Sequence, residues 1–324
     1  VTKRRPESRR FVFRQAFLAD LPLFLQPQPL TTDNAIGNGR VAIIFEYDGR
    51  AFHGWQQQKS GVRSVQQELA RAVSKVADQP VDLVCAGRTD ARVHASFQVA
   101  HFDASATRSL RSWVMGMNTG LPEDISVHWA GNGVADFHAR FSAIYRRYRY
   151  VILNRPVRPG ILRGQVSWTF RALDADSMNR AAQVLVGEHD FSSFRAAGCQ
   201  SRTPIRYLER ISVTRKGEYV VLDVQANAFL HHMVRNIAGA LIAVGSGSQS
   251  EGWVRDVLAS KSRRLAGVTA PSDGLYLVDV GYPEHFRIPR ASCGPGFVRP
   301  WFSEAENSPI APSHFHPKGP AITT

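Results

Sequence analysis

Val41-Ala42-Ile43-Ile44-Phe45-Glu46-Tyr47 places Val41, Ile43, Phe45 and Tyr47 on one side of an extended chain and Ala42, Ile44 and Glu46 on the other. That alternation predicts a β-strand. Just downstream, Val65, Leu69, Ala72, Val73 and Val76 recur at helical spacing, with Ser64 as N-cap and Gln67 three residues on. Residues 81–85 predict a second strand, which runs into Gly87-Arg88-Thr89-Asp90. A comparable order follows. Tyr148, Tyr150 and Ile152 share one strand face, and Arg147, Arg149 and Val151 the other. Residues 174–186 predict a helix stopped by Gly187, and Val220, Leu222, Val224 and Ala226 one face of a further strand. Phe229, Met233, Ile237, Ala240, Leu241 and Val244 line a strongly apolar helix closed by Gly245, and Tyr276, Val278 and Val280 mark a last strand. Strands and helices in this order predict an α+β fold, with helices on a mainly antiparallel sheet. The strand–helix–strand order in both parts hints at duplication, without a convincing sequence repeat.

Four regions are expected. Residues 1–38 form a basic, then Pro-rich extension, opening with Lys3, Arg4, Arg5, Arg9 and Arg10. Such an arm adds non-specific RNA affinity or is a solvated tail without a role. Residues 39–143 form an N-terminal half and 144–284 a C-terminal half, joined by a link short enough for one continuous sheet. Residues 285–324, with many Pro and Gly, read as a loosely packed or disordered tail.

The chain has 324 residues, 40 Lys plus Arg against 27 Asp plus Glu, and a formal charge of +13. That surplus favours a polyanionic partner without choosing between RNA, DNA and anionic lipid. The three cysteines, Cys85, Cys199 and Cys293, form no CxxC pair, and an odd number argues against a disulfide framework. With no apolar run of membrane-spanning length and no secretory signal pattern, a cytoplasmic protein is expected. No GxGxxG or GxxxxGK[ST] supports a nucleotide cofactor, and none is expected. There is also no HExxH. His231 and His232 are adjacent, so on a helix they diverge by about 100° and could not easily share one ion. No metal site is expected.

The stretch from Gly87 to Ala95 puts an acid, Asp90, and a base, His94, on a loop after an apolar strand. On composition alone, a turn in which Asp90 caps a backbone N–H is the simpler reading. Arg235, on the apolar helix, changes the balance. A buried guanidinium needs a carboxylate or a route to water. A cation beside Asp90 would keep it ionised in a dry pocket, as a nucleophile requires, or the two would form a purely structural ion pair. Tyr148 and Tyr150 among Arg146, Arg147 and Arg149 suit RNA recognition, where rings stack and guanidiniums bind phosphate. An ordinary strand with Tyr inward and Arg outward explains the same pattern.

These residues fall into ordered segments: Tyr47-Asp48-Gly49 with Gly54-Trp55-Gln56; Ala86-Gly87-Arg88-Thr89-Asp90; Asn118 with Leu121-Pro122; Phe137-His138-Ala139-Arg140-Phe141-Ser142; Arg147-Tyr148-Arg149-Tyr150; Asp190-Phe191 with Ser193-Phe194; Cys199 with Ser201-Arg202-Thr203; Phe229 with His232-Met233-Val234-Arg235-Asn236; and Gly274-Leu275-Tyr276-Leu277. In that order they resemble the TruA-type tRNA pseudouridine synthases, across about Arg40 to Pro283. The resemblance implies the pseudouridine synthase fold, with two similar halves around a basic RNA-binding cleft. It implies an isomerase acting on uridines 38, 39 and 40 of the tRNA anticodon stem-loop, as a homodimer without a cofactor. By the same resemblance Asp90 is the nucleophile and Arg235 its ion-pair partner. Arg88 helps flip the target uridine, and Tyr148 packs on the flipped base. Phe137, His138, Ala139, Arg140 and Phe141, with Gly198, Cys199, Gln200, Ser201 and Arg202, match stretches that contact tRNA.

One departure stands out. Where the family usually has Gly after Asp-Ala, this chain has Arg92. A residue with φ > 0 there would strain an Arg, and a close approach of RNA would be blocked or would gain a phosphate contact. An RNA-binding protein of the same fold with impaired chemistry is therefore a second reading. A generic nucleic-acid-binding protein, indifferent to tRNA, is a third.

Overall fold

A computed structural model describes residues 35–289, 294–297 and 301. One ten-stranded sheet runs through them. In chain order its strands are β1 (Ala35–Tyr47), β2 (Val84–Cys85), β3 (His94–Ser109), β4 (Ile125–Asn132), β5 (Tyr145–Asn154), β6 (Ser167–Thr169), β7 (Gly187–Asp190), β8 (Ile205–Lys216), β9 (Tyr219–Ala226) and β10 (Leu275–Gly281). The helices are α1 (Val65–Ala77), α2 (Leu110–Gly120), α3 (Ala175–Ala182), α4 (Met233–Gly245) and α5 (Trp253–Ser260). The spatial order is β4-β1-β3-β10-β5-β9-β8-β7, with β2 against β3 and β6 against β5. The last strand in sequence thus enters the middle of the sheet. It pairs antiparallel with β5 and, over Tyr276–His94 and Leu277–Ala95, parallel with β3. The other pairings along that path are antiparallel, so the expected α+β class holds and the sheet is continuous across residues 142–146.

The main core unites the helices with one sheet face, including Tyr148, Tyr150 and Ile152, while Val151 and Leu153 join a smaller cluster with Tyr276 and Val278 on the other. The alternation in β5 is therefore as read, but Arg147 and Arg149 do not reach solvent. Both are fully buried on the Asp223 carboxylate of β9. Arg146 is buried too, away from Asp223, with its guanidinium donating to backbone carbonyls. An antiparallel sheet can leave one face in water, but here the face that carries Arg147 and Arg149 is covered in turn, by Leu162, Phe297 and Trp301 over the smaller cluster and by Gly294, where a built Cβ would lie 3.1 Å from Arg149 Nη1.

Four boundaries differ from expectation, each for a local reason. Residues 35–38, assigned to the extension, open β1 and pair with β3, while 1–34 lie outside the described residues. Of 81–85 only Val84–Cys85 joins the sheet. α1 takes the earlier backbone groups, with Ser74 Oγ accepting from the Val81 N–H at 3.1 Å and Gln66 Nε2 donating to the Leu83 carbonyl at 3.2 Å. The helix expected at 174–186 ends at Ala182 and continues as a 3-10 turn, Gln183–Leu185. In the stretch expected to be loosely packed, Phe297 and Trp301 cover the smaller cluster, the Trp301 ring 4.4 Å from that of Tyr219. No helix among the described residues is long and apolar enough to cross a membrane.

His101 on β3 makes stability depend on pH. Burial, with the charges of Arg40 and His138, pushes its imidazole down to about 4. Its Nδ1 accepts from the Ala139 N–H at 3.1 Å, a bond that protonation breaks. An unfolded chain protonates the same ring near ~6.5. Between those values the unfolded state holds the extra proton, so stability falls as pH drops, by at most about 3 kcal/mol. Urea unfolding at pH 7 and 4.5 is expected to show His101→Gln losing less stability on acidification than wild type. An equal loss in both would remove His101 from the acid response.

Candidate active site

Asp90 sits in the loop between β2 and β3, and that loop is pinned from several sides. The Ala86 N–H donates to the Val99 carbonyl at 2.8 Å, and the Trp55 N–H to the Thr89 carbonyl at 3.0 Å. The Tyr47 hydroxyl meets Thr89 Oγ1 at 2.8 Å, and Gln98 bonds both the N–H and the carbonyl of Gly87. Gly54 approaches so closely that a Cβ built on it would lie 2.8 Å from the Thr89 carbonyl oxygen, and its φ is +92°. Glycine alone suits both conditions. Arg146 ties the loop to the rest of the sheet, donating to the carbonyls of Ala86, Ala143 and Asn227, and to that of Arg140.

The Asp90 carboxylate, one-fifth exposed, faces three basic side chains. Arg235 Nη1 lies 3.7 Å from Oδ2, His231 Nε2 3.3 Å from Oδ1 and His232 Nε2 3.4 Å from Oδ2. These are ion-pair separations rather than good hydrogen bonds. The Arg235 Nε donates to the Ala270 carbonyl at 2.9 Å, so the guanidinium is held independently of the carboxylate. Tyr148 is buried at the same place, its ring edge-on to Phe229 at 5.0 Å. Burial, then the Asp90 charge, raises its phenol and keeps it protonated. Arg88 is exposed, with no hydrogen bond or ion pair to another described residue.

The expected Asp90–Arg235 pair is thus present, and Tyr148 joins it. The histidines were misread. α4 starts at Met233, and His232 is its N-cap in the left-handed region (φ 60°). The His231 carbonyl accepts from the Ala196 N–H at 3.0 Å, and its own N–H donates to Cys199 Sγ at 3.5 Å. Held off the helix in this way, the two rings lie 4.0 Å apart, tilted by 41°, and point together at Asp90 instead of diverging. Burial, then His231, Arg235 and Arg263, lower the His232 imidazole, and Asp90 opposes them. It is therefore neutral at pH 7.

The two expected RNA-contact segments divide by burial. Phe137 and Ala139 are core residues and cannot touch RNA directly. They hold His138, Arg140 and the largely exposed Phe141, whose ring stacks on His138 at 4.3 Å and lies under the Arg140 guanidinium. In the second segment Gly198, Gln200 and Arg202 are exposed. Cys199 and Ser201 anchor it, their carbonyls accepting from Arg195 at 2.6 and 2.8 Å. Through the bond from the His231 N–H to Cys199 Sγ, this segment adjoins the Asp90 cluster.

Arg92 has a φ of 66°, so the conformation that favours Gly is present. Its guanidinium turns to Asp273, with bonds of 3.0 and 3.2 Å, and makes no ion pair with Asp90. Relief of left-handed strain and loss of a half-exposed ion pair are each on the order of 1 kcal/mol. Arg92→Gly is expected to leave the melting temperature and the rate of the reaction nearly unchanged. A more than about tenfold gain in rate would show that Arg92 hinders the chemistry.

A family model described as tRNA pseudouridine synthase matches residues 43–142 and 181–283. The tRNA pseudouridine synthase A of Legionella pneumophila (strain Corby) is 55% identical over 259 residues, spanning 80% of this chain and 98% of that protein. That of Coxiella burnetii (strain Dugway 5J108-111) is 55% identical over 259 residues, spanning 80% and 99%. The chain belongs to the tRNA pseudouridine synthase family, a class of isomerases.

Proposed function

We propose that this protein isomerises uridine to pseudouridine at positions 38, 39 and 40 of the tRNA anticodon stem-loop, in the cytoplasm and as a homodimer, with Asp90 as nucleophile. The observation that carries the reading is the carboxylate itself. It sits on a loop fixed by the backbone, accepts no hydrogen bond from a described residue, and lies 3.7 Å from a guanidinium held by other bonds. A carboxylate so placed stays ionised with its lone pairs free.

The reaction breaks the bond from uracil N1 to the ribose, turns the detached base, and joins C5 to the same ribose carbon. The C5 hydrogen leaves as a proton, and N1 gains one. Nothing is oxidised and no group is donated, so the chain's own residues suffice. Attack on the sugar or on the base both need an ionised carboxylate. A stacked uridine must first leave the helix, at a few kcal/mol. Arg88, exposed and without an ion pair among the described residues, would enter the gap, and Tyr148 would pack against the extruded ring. The charge of +13 supports binding to the tRNA backbone.

Tritium release from transcripts labelled at uridine C5 tests this. Release is expected from a tRNA with uridines at 38–40, and none from one with cytidines there. Release from both would overturn the assigned positions, and release from neither would overturn the activity.

A further inference from the structure

We infer that Asp90, His231 and His232 bind a divalent transition-metal ion, Zn²⁺ fitting best, and that the bound ion occupies the nucleophile. The three side chains each present a ligand atom, all within 4.8 Å of one another. Two imidazole nitrogens and a carboxylate form a common ligand set for Zn²⁺. With bonds of about 2.0–2.1 Å, the edge of a tetrahedral site is about 3.4 Å. The two carboxylate-to-imidazole separations are already 3.3 and 3.4 Å. The two separations run to different oxygens, Oδ1 and Oδ2, so an ion enters as each ring turns toward a position that the carboxylate shares with both. No hydrogen bond has to be broken first, because the Asp90 carboxylate makes none to another described residue, its backbone carbonyl alone accepting from the Val93 N–H at 3.2 Å. His231 is nearly half exposed, which gives the ion a path in and leaves room for water as a fourth ligand.

The left-handed backbone at His232 gives this group its shape. It brings two neighbouring imidazoles onto one carboxylate, which a regular helix could not do. Arg235, at 3.7 Å, works against the ion, so affinity should be on the order of micromolar, weaker than in closed four-ligand sites. Mg²⁺ prefers six oxygen ligands and should not compete. A metal-bound Asp90 has its charge drawn toward the ion and its approach covered by the ion and its water, so metal and substrate exclude each other. That last step, unlike binding, rests on the proposed role of Asp90.

The test uses the full chain stripped with EDTA, without RNA, titrated with Co²⁺ for its visible absorption and with Zn²⁺ by calorimetry. Wild type is expected to bind one equivalent of each at this site and to melt at a higher temperature with Zn²⁺. His231→Ala and His232→Ala should each weaken binding by at least about tenfold, and the double variant should lose the Co²⁺ absorption. Absence of binding at about 100 µM metal, or undiminished binding by the double variant, would overturn the site. Zn²⁺, but not Mg²⁺, should also stop tritium release by wild type, with EDTA restoring it. Undisturbed release from Zn²⁺-loaded protein would overturn the blocking role. Metal binding by a protein that releases no tritium even in EDTA would support the site and count against the function.

Discussion

Asp90→Asn is expected to lower tritium release by at least about 10⁴-fold, while leaving the protein folded and able to bind tRNA. The amide has the same shape but cannot act as a nucleophile. The fold should not notice the change, since the loop is held through the backbone of residues 86–93 and through Tyr47 and Gln98, none of which uses the Asp90 carboxylate. The three neighbouring basic groups lose a counter-charge, but Arg235 keeps its bond to the Ala270 carbonyl and His232 is neutral at pH 7. The melting temperature should therefore stay within about 3 °C, which corresponds to about 1 kcal/mol for a chain of this size. Single-turnover release, tRNA affinity and thermal unfolding of both proteins check the three statements together. A variant that folds, binds tRNA and still releases tritium at a tenth of the wild-type rate would assign the nucleophile to another residue. A variant that fails only in binding would make Asp90 a recognition residue.

Much of this site was legible in the sequence because strands and helices declare themselves by period. Alternation in residues 41–47 and 148–152 gave β1 and β5, the latter with its faces correctly divided, and helical spacing from Val65 gave α1 with Ser64 as its cap. The Asp90–Arg235 pair was legible because a charge on an apolar helix must find a partner. Two features stayed hidden for one reason, that they depend on what a neighbour in space does. The depth of Arg147 and Arg149 follows from Phe297 and Trp301 packing over their side of the sheet and from Gly294 beside Arg149, all more than a hundred residues downstream. The meeting of His231 and His232 follows from backbone bonds to Ala196 and Cys199 on another segment. A period of 3.6 continued backwards through residues 229–232 assigns them to α4, and no local residue signals the left-handed turn, since His is not a preferred conformer there. Phe137 and Ala139 matched an RNA-contact stretch by position, yet a motif does not say which of its residues face outward. The alternation Phe137, Ala139 against His138, Arg140 would have said so.

The largest stability effect is expected at Asp223, which takes no part in the chemistry. Its carboxylate is almost fully buried and receives the Arg147 guanidinium through two bonds of 2.7 Å, Arg149 Nε at 2.8 Å and Arg210 Nη2 at 3.4 Å. The register explains the grouping. Asp223 on β9 is the partner of Arg149 on β5 and of Ser212 on β8, with Arg147 two residues along. Burial alone would raise this carboxyl, but the surrounding guanidiniums hold it below its usual range, so it stays ionised. Replacing such a cluster wholesale with apolar residues can be neutral, whereas deleting one charge leaves the others buried without their counter-ion. Asp223→Asn is expected to cost about 3–5 kcal/mol, a large share of the ~5–15 kcal/mol that holds a typical protein folded. At about 2–4 °C per kcal/mol, the melting temperature should fall by about 6–20 °C. Asp223→Glu, which keeps the charge but overfills the site, should fall by less, and it remains measurable if the asparagine variant does not fold. Thermal and urea unfolding of both would decide. A melting temperature within 3 °C of wild type for Asp223→Asn would mean that the guanidiniums are satisfied by other groups, and that this carboxylate is not what allows two arginines to lie in mid-sheet on the strand that carries Tyr148.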